Sequence, residues 1–170
     1  VWSGIESYLP DDIPIMGPSA KVSGLFYAFG FCGHGFQLGP GVGAVGMCFS
    51  GGFALGMMVD DVMVAPVLSQ PSLPFVGPGA DRKGDLNLSP DDRLAVAQRA
   101  ADGCQVLGLR FTGDKLVGTR FDSLRELLGD AFIAVELPSS SPRDHSVLTE
   151  QRDEASVARV LDFLRDKLQR

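Results

Sequence analysis

Cys48, Asp114 and His145 are the side chains whose types and places along this chain could together do chemistry. Cys48 sits in Gly46-Met47-Cys48-Phe49-Ser50-Gly51-Gly52, between an apolar run over 42–45 and a second over 53–58. The first run reads as a buried strand and the second as a buried helix. A strand that turns sharply into a helix lifts one side chain out of the backbone, and the residues two places either side of it must be small. Gly46 and Ser50 meet that demand. A helix N-terminus also stabilises a thiolate, so Cys48 is placed as a nucleophile. Asp114, in Phe111-Thr112-Gly113-Asp114, and His145, in Pro142-Arg143-Asp144-His145-Ser146, each follow a later strand candidate. An imidazole would take the thiol proton, and a carboxylate would fix its tautomer and support the imidazolium. The backbone N–H of Phe49 would donate to the oxyanion.

Each residue also has a plainer reading. A buried cysteine is commonly a small hydrophobe, an acid after Gly113 can be a turn residue, and His145 can be a surface-loop histidine. The chain order nucleophile, acid, base, each just after a strand, favours the joint catalytic reading. Ser50 is a competing nucleophile with Gly52 two places on. Cys32 and His34, two apart in a glycine loop, are a weaker thiol–imidazole pair. Cys104 reads as packing at a helix-to-strand junction. Gly41-Val42-Gly43-Ala44-Val45-Gly46 matches G-x-G-x-x-G, but that fingerprint should follow a strand and open a helix. Here it coincides with the strand itself.

These residues need elements to hold them. Residues 1–41 are rich in glycine, proline and aromatics, with one strand expected over 25–31. From Val42 on, strand and helix alternate. Strands are expected over 42–45, 62–67, 106–111 and 132–137, with a long Pro/Gly/Asp loop over 70–87. Ser89-Pro90-Asp91-Asp92 opens a helix with a serine cap, a proline at the first position and acids in the first turn. That helix carries Leu94, Ala97, Ala100 and Ala101 and ends near Gly103. A short helix is expected over 120–128. A closing one over 153–169 has Val157, Val160, Leu161, Leu164 and Leu168 on one face. Repeated βα units predict an α/β fold, a mostly parallel sheet flanked by helices. In such sheets chemistry gathers at the C-terminal ends of the strands.

Composition excludes several classes. The chain has 170 residues, 45% of them hydrophobic and 21% charged, an ordinary globular mixture. A net charge of −6 without a basic cluster argues against nucleic acid. No apolar run approaches the roughly 20 residues of a membrane span, and no signal peptide is visible, so a cytoplasmic protein is expected. Three cysteines and two histidines, widely scattered, make neither a disulfide framework nor a zinc site. Val1 in place of a methionine suggests a processing boundary.

Two stretches resemble known families. From about Gly39 onward the chain resembles the dienelactone hydrolases. The matching runs are GVGAVGMCFSGGFAL from Gly41, APVLSQPSLPF from Ala65, LGLRFTGD from Leu107 and FIAVELPSSSPRDHSVLTE from Phe132. That resemblance implies an α/β-hydrolase core, a triad on Cys48, Asp114 and His145, and small esters or lactones as substrates. It also implies an arginine for a substrate carboxylate, with Arg110 and Arg143 near the right loops. Ser50 departs from the glycine of the best-known members but is still small. Residues 1–40 are similar instead to the C-terminal part of flavin-dependent amino-acid oxidases of the glycine oxidase and D-amino-acid oxidase type. The motifs are WSGIE from Trp2, LPD from Leu9, PIMGP from Pro14 and GLFYAFGFCGHGFQLGP from Gly24. That family's N-terminal dinucleotide-binding unit has no counterpart here, and no cofactor or metal is expected.

The chain thus reads as a graft, with a segment over 1–40 joined to half of a hydrolase over 41–170. The resemblance implies that intact relatives have further strands ahead of the nucleophile turn, which supply a second oxyanion N–H. Without them the nucleophile strand has an open apolar edge, which invites pairing. Either the strand over 25–31 or a second copy of the chain would cover it, and a homo-oligomer is expected. The alternative to a thiol-dependent hydrolase is a non-catalytic fragment or assembly module that keeps the triad residues by descent.

Overall fold

The computed structural model describes residues 42–72 and 83–168, together with the backbone of strands 15–18 and 26–29. The chain divides into two compact units, Val1–Pro40 and Gly41–Arg170. In the first, β1 (Ile15–Pro18) pairs antiparallel with β2 (Phe26–Phe29), Ile15 opposite Phe29. The strand expected over 25–31 is therefore described over its middle four residues, with β1 as its ladder partner.

The second unit is an α/β fold. Strands β3 (Val42–Met47), β4 (Met63–Ser69), β5 (Val106–Phe111) and β6 (Phe132–Leu137) form a four-stranded sheet in that order, with every pair parallel. Helices α1 (Ser50–Gly56), α2 (Pro90–Ala101), α3 (Arg120–Leu128) and α4 (Glu154–Leu168) connect and cover it. Because consecutive strands are neighbours and parallel, all four C-terminal ends lie along one edge. Any residue just past a strand is thereby brought to that edge.

Local sequence explains the element ends. The Ser89 hydroxyl accepts from the Asp92 N–H at 3.1 Å, Pro90 opens α2, and Asp91 and Asp92 lie in its first turn. The central strands β4 and β5 are almost wholly buried and correspondingly rich in Val, Leu and Ala. One core lies under α1–α3, where Leu55, Met58, Val96, Phe121 and Leu124 meet Leu68 and Val106. The other packs Val160 and Phe163 of α4 on Ala65, Val67, Leu107 and Leu109.

Two helix faces differ from the periodicity reading. In α2 Ala100 is buried as expected, but Leu94 is 72% exposed and Val96 is buried instead. In α4 the buried residues are Ser156, Val160 and Phe163, while Leu161 is exposed and the partly exposed Leu168 lies over Gly43 of β3. In both helices apolar residues lie on more than one face, and contact with the sheet chose between them. No helix among the described residues is long and apolar enough to cross a membrane.

Candidate active site

Cys48 stands at the turn between β3 and α1 with φ 55, the left-handed region that non-glycine residues seldom occupy. Such strain is held only where surrounding structure demands it. The demand is visible on both sides of the turn. A Cβ on Gly46 would lie 2.2 Å from the Ser50 carbonyl oxygen, so only glycine fits. The Ser50 hydroxyl donates to the Met47 carbonyl at 2.8 Å and accepts from the Met47 N–H at 2.9 Å. Ser50, the competing nucleophile, thus ties the turn together.

The loops after β5 and β6 bring the acid and the base together. Asp114, 7% exposed, accepts from Leu116 N–H at 2.9 Å through Oδ1. Its Oδ2 meets Nδ1 of His145 at 2.6 Å. Facing a carboxylate, Nδ1 carries the hydrogen, which leaves Nε2 as the basic atom. Burial pulls the imidazole down, but Cys48 and then Asp114 favour its charged form, and the net shift is upward. Burial likewise raises the Cys48 thiol. The Ser72 hydroxyl, then His145 and the Phe49 N–H, outweigh that, and the thiol titrates below its ordinary range.

Cys48 and His145 are close enough to stabilise each other's charged forms. No aligned hydrogen bond joins them, however. Sγ lies 3.0 Å from the Ser72 hydroxyl, and Nε2 is buried without a partner among the described residues. The Phe49 N–H, expected as the oxyanion donor, makes no hydrogen bond to Sγ but is near enough to favour its charged form.

Arg110 and Arg143 have different surroundings. The Arg110 guanidinium binds Glu136 through Nε at 2.8 Å and through Nη2, donates to the Gly118 carbonyl at 3.3 Å, and stacks 4.5 Å above the Phe121 ring. Those bonds commit it to the β5–β6 pair and α3. Arg143 is exposed in the turn ahead of His145, its N–H donating to the Ser141 hydroxyl at 3.1 Å. Cys32 and His34 lie outside the described residues.

Three residues at the site escaped the sequence reading. Ser72 is one. Asp144 accepts from the N–H groups of Ser140 and Ser141 at 2.6 and 2.8 Å and from the Ser140 hydroxyl at 3.0 Å. The Ser141 N–H foremost holds its carboxyl below the usual range. Gln151 Oε1 accepts from the N–H groups of His145 and Ser146 at 3.1 and 2.8 Å. Together they fix the histidine loop. The run Ser139-Ser140-Ser141-Pro142-Arg143-Asp144 carries the side-chain-to-backbone turn signature that could have revealed Asp144.

Cys104 provides an internal contrast. Burial raises its thiol, and Arg99 and Lys167 only partly oppose this. A lowered thiol stays ionised to lower pH, and a raised one does not. Iodoacetamide near neutral pH is therefore expected to label Cys48 about tenfold faster than Cys104. Peptide mass spectrometry reads both rates, and equal labelling would contradict the assignment.

Fold and site together define an α/β protein with a thiol, an imidazole and a carboxylate at the C-terminal edge of a parallel sheet. Residues 1–46 match the family model described as FAD dependent oxidoreductase. That agrees with the oxidase resemblance of the first forty residues and reaches into β3. No curated protein and no solved structure matches the chain. Gly43 and Gly46 of the G-x-G-x-x-G spacing lie inside β3, whereas a dinucleotide-binding fingerprint lies in the turn that leaves a strand and opens a helix. Among the described residues no cluster of His, Cys, Asp and Glu could hold a metal ion.

Proposed function

We propose that this chain is a thiol-dependent hydrolase of small esters or lactones, of the dienelactone hydrolase type. The observation that carries the reading is the 2.6 Å link between His145 and Asp114 beside a cysteine held at a strained strand–helix turn. The Cys48 thiolate attacks the substrate carbonyl carbon. A C–S bond forms, and the carbonyl π pair moves to oxygen, which accepts from the Phe49 N–H. Collapse of this intermediate breaks the bond to the leaving alkoxide, which takes a proton from the His145 imidazolium. Neutral His145 then removes a proton from water as that water attacks the thioester. Breaking of the C–S bond releases the acid and leaves the thiolate beside the re-formed imidazolium, the pair that began the cycle.

The test is p-nitrophenyl acetate hydrolysis by the wild type and Cys48→Ala. Loss of the rate in the variant is expected, and equal rates would sink the proposal. A second reading, a non-catalytic module that keeps these residues by descent, is favoured by the missing bond between Sγ and Nε2. It predicts a reactive Cys48 with no turnover. A homo-oligomer that covers the outer edge of β3 belongs to either reading, and light scattering across a wide concentration range would test it.

A further inference from the structure

The loop after β4 supplies a fourth polar group to the cluster, and it is built with unusual tightness. Ser69-Gln70-Pro71-Ser72 leaves the strand beside β3 in the sheet. The Cys48 N–H donates to the Ser69 carbonyl at 3.0 Å, and the Ser72 N–H donates to the Cys48 carbonyl at 3.0 Å. Gln70 is held at φ 38, with its N–H donating to the Leu109 carbonyl at 2.7 Å. Pro71 lies against Gly51, where a Cβ would come within 2.9 Å of it. These ties leave the Ser72 hydroxyl, in a residue 5% exposed, little choice of place, and it sits 3.0 Å from Sγ.

We propose that Ser72 is a positioning residue for Cys48: its hydroxyl donates to the sulfur and holds it as an aimed thiolate before any electrophile arrives. The inference rests on reading Cys48 as the nucleophile. A hydroxyl this close to a sulfur can donate or accept. The Phe49 N–H, fixed in the backbone, is near enough to favour the charged sulfur as well, and donors placed around one atom stabilise an anion there. Among the described residues, the charged group facing Cys48 is His145 from the loop after β6, backed by Asp114 from the loop after β5. Helix α1 carries no charge, and neither does the segment 69–72. Ser72 therefore acts as a neutral donor. Its contribution persists at high pH, where the imidazolium has lost its proton.

The isosteric pair Ser72→Thr and Ser72→Val separates the hydroxyl from its bulk, and Ser72→Ala removes it with least disturbance. All keep the backbone N–H that binds Cys48. The readout is the pH profile of Cys48 alkylation by iodoacetamide, with thermal melting measured alongside. Ser72→Thr is expected to follow the wild type. Ser72→Val and Ser72→Ala are expected to move the midpoint up by about one pH unit, which slows labelling at neutral pH about tenfold. Coincident profiles for the threonine and valine variants would overturn the proposal, as would an unmoved profile in a folded alanine variant. Alkylation reads the sulfur directly. An absence of esterase activity would thus remove the hydrolase reading alone, and an unmoved profile would remove only the role of Ser72.

Discussion

His145→Gln is expected to lower kcat/KM for p-nitrophenyl acetate by roughly 10³-fold, within the range that a positioned general base contributes. Two effects add. Glutamine cannot carry the proton between sulfur, leaving group and water, and the thiolate loses the imidazolium that favours it. The pH profile should change along with the rate. A lowered thiol and a raised imidazole widen the window in which the thiolate–imidazolium pair exists. Its acid limb follows thiol ionisation and its alkaline limb follows loss of the imidazolium proton. In His145→Gln the acid limb should move toward the ordinary thiol value of about 8.5, and the alkaline limb should vanish. Asp114→Asn should cost a comparable factor with the fold intact, because an amide can present its N–H to Nδ1 and reverse the tautomer. A wild-type profile in either variant would remove these residues from the mechanism.

Gly46→Ala should be the most damaging single-methyl substitution at the turn, costing about 3 kcal/mol of stability as overpacking against rigid backbone. The three nearest atoms to a Cβ there are all main chain: Ser50 O at 2.2 Å, Ser50 C at 2.7 Å and Gly51 Cα at 2.8 Å. No side chain can rotate away, so the turn itself must open. Cys48 would then leave the sulfur position that Ser72 defines, and its labelling should slow even in molecules that stay folded. Gly52→Ala is the matched control. Among the described residues a Cβ there meets nothing closer than 3.9 Å, and alanine favours a helix over glycine. Thermal melts of the two variants decide the matter. Equal melting temperatures would show that the turn tolerates a side chain at Gly46.

The elements whose signals are local were legible. The strands over 106–111 and 132–137 and the helix over 120–128 appear with the expected bounds. The serine cap and proline of α2 act as their positions predict. Strand β4 runs two residues past its expected end, to Ser69, because pairing with β3 and β5 prolongs the ladder. The outward turn of Leu94 was not legible, since a period of about 3.6 residues marks faces without saying which face meets the sheet.

For the site, sequence alone determined the residue types and their order: a cysteine between small residues, then an acid, then a histidine, each after an apolar strand. Those are properties of neighbours in the chain. Tertiary structure alone decided what each side chain meets. Asp114 reaches His145 across 31 residues, and Sγ meets Ser72 across 24. It also turned the sulfur to a hydroxyl and left Nε2 without a partner among the described residues. The physical reason is that parallel strands set side by side bring together loops from distant parts of the chain. Hydrogen bonds between such loops depend on distances of a few tenths of an ångström, which no local propensity encodes.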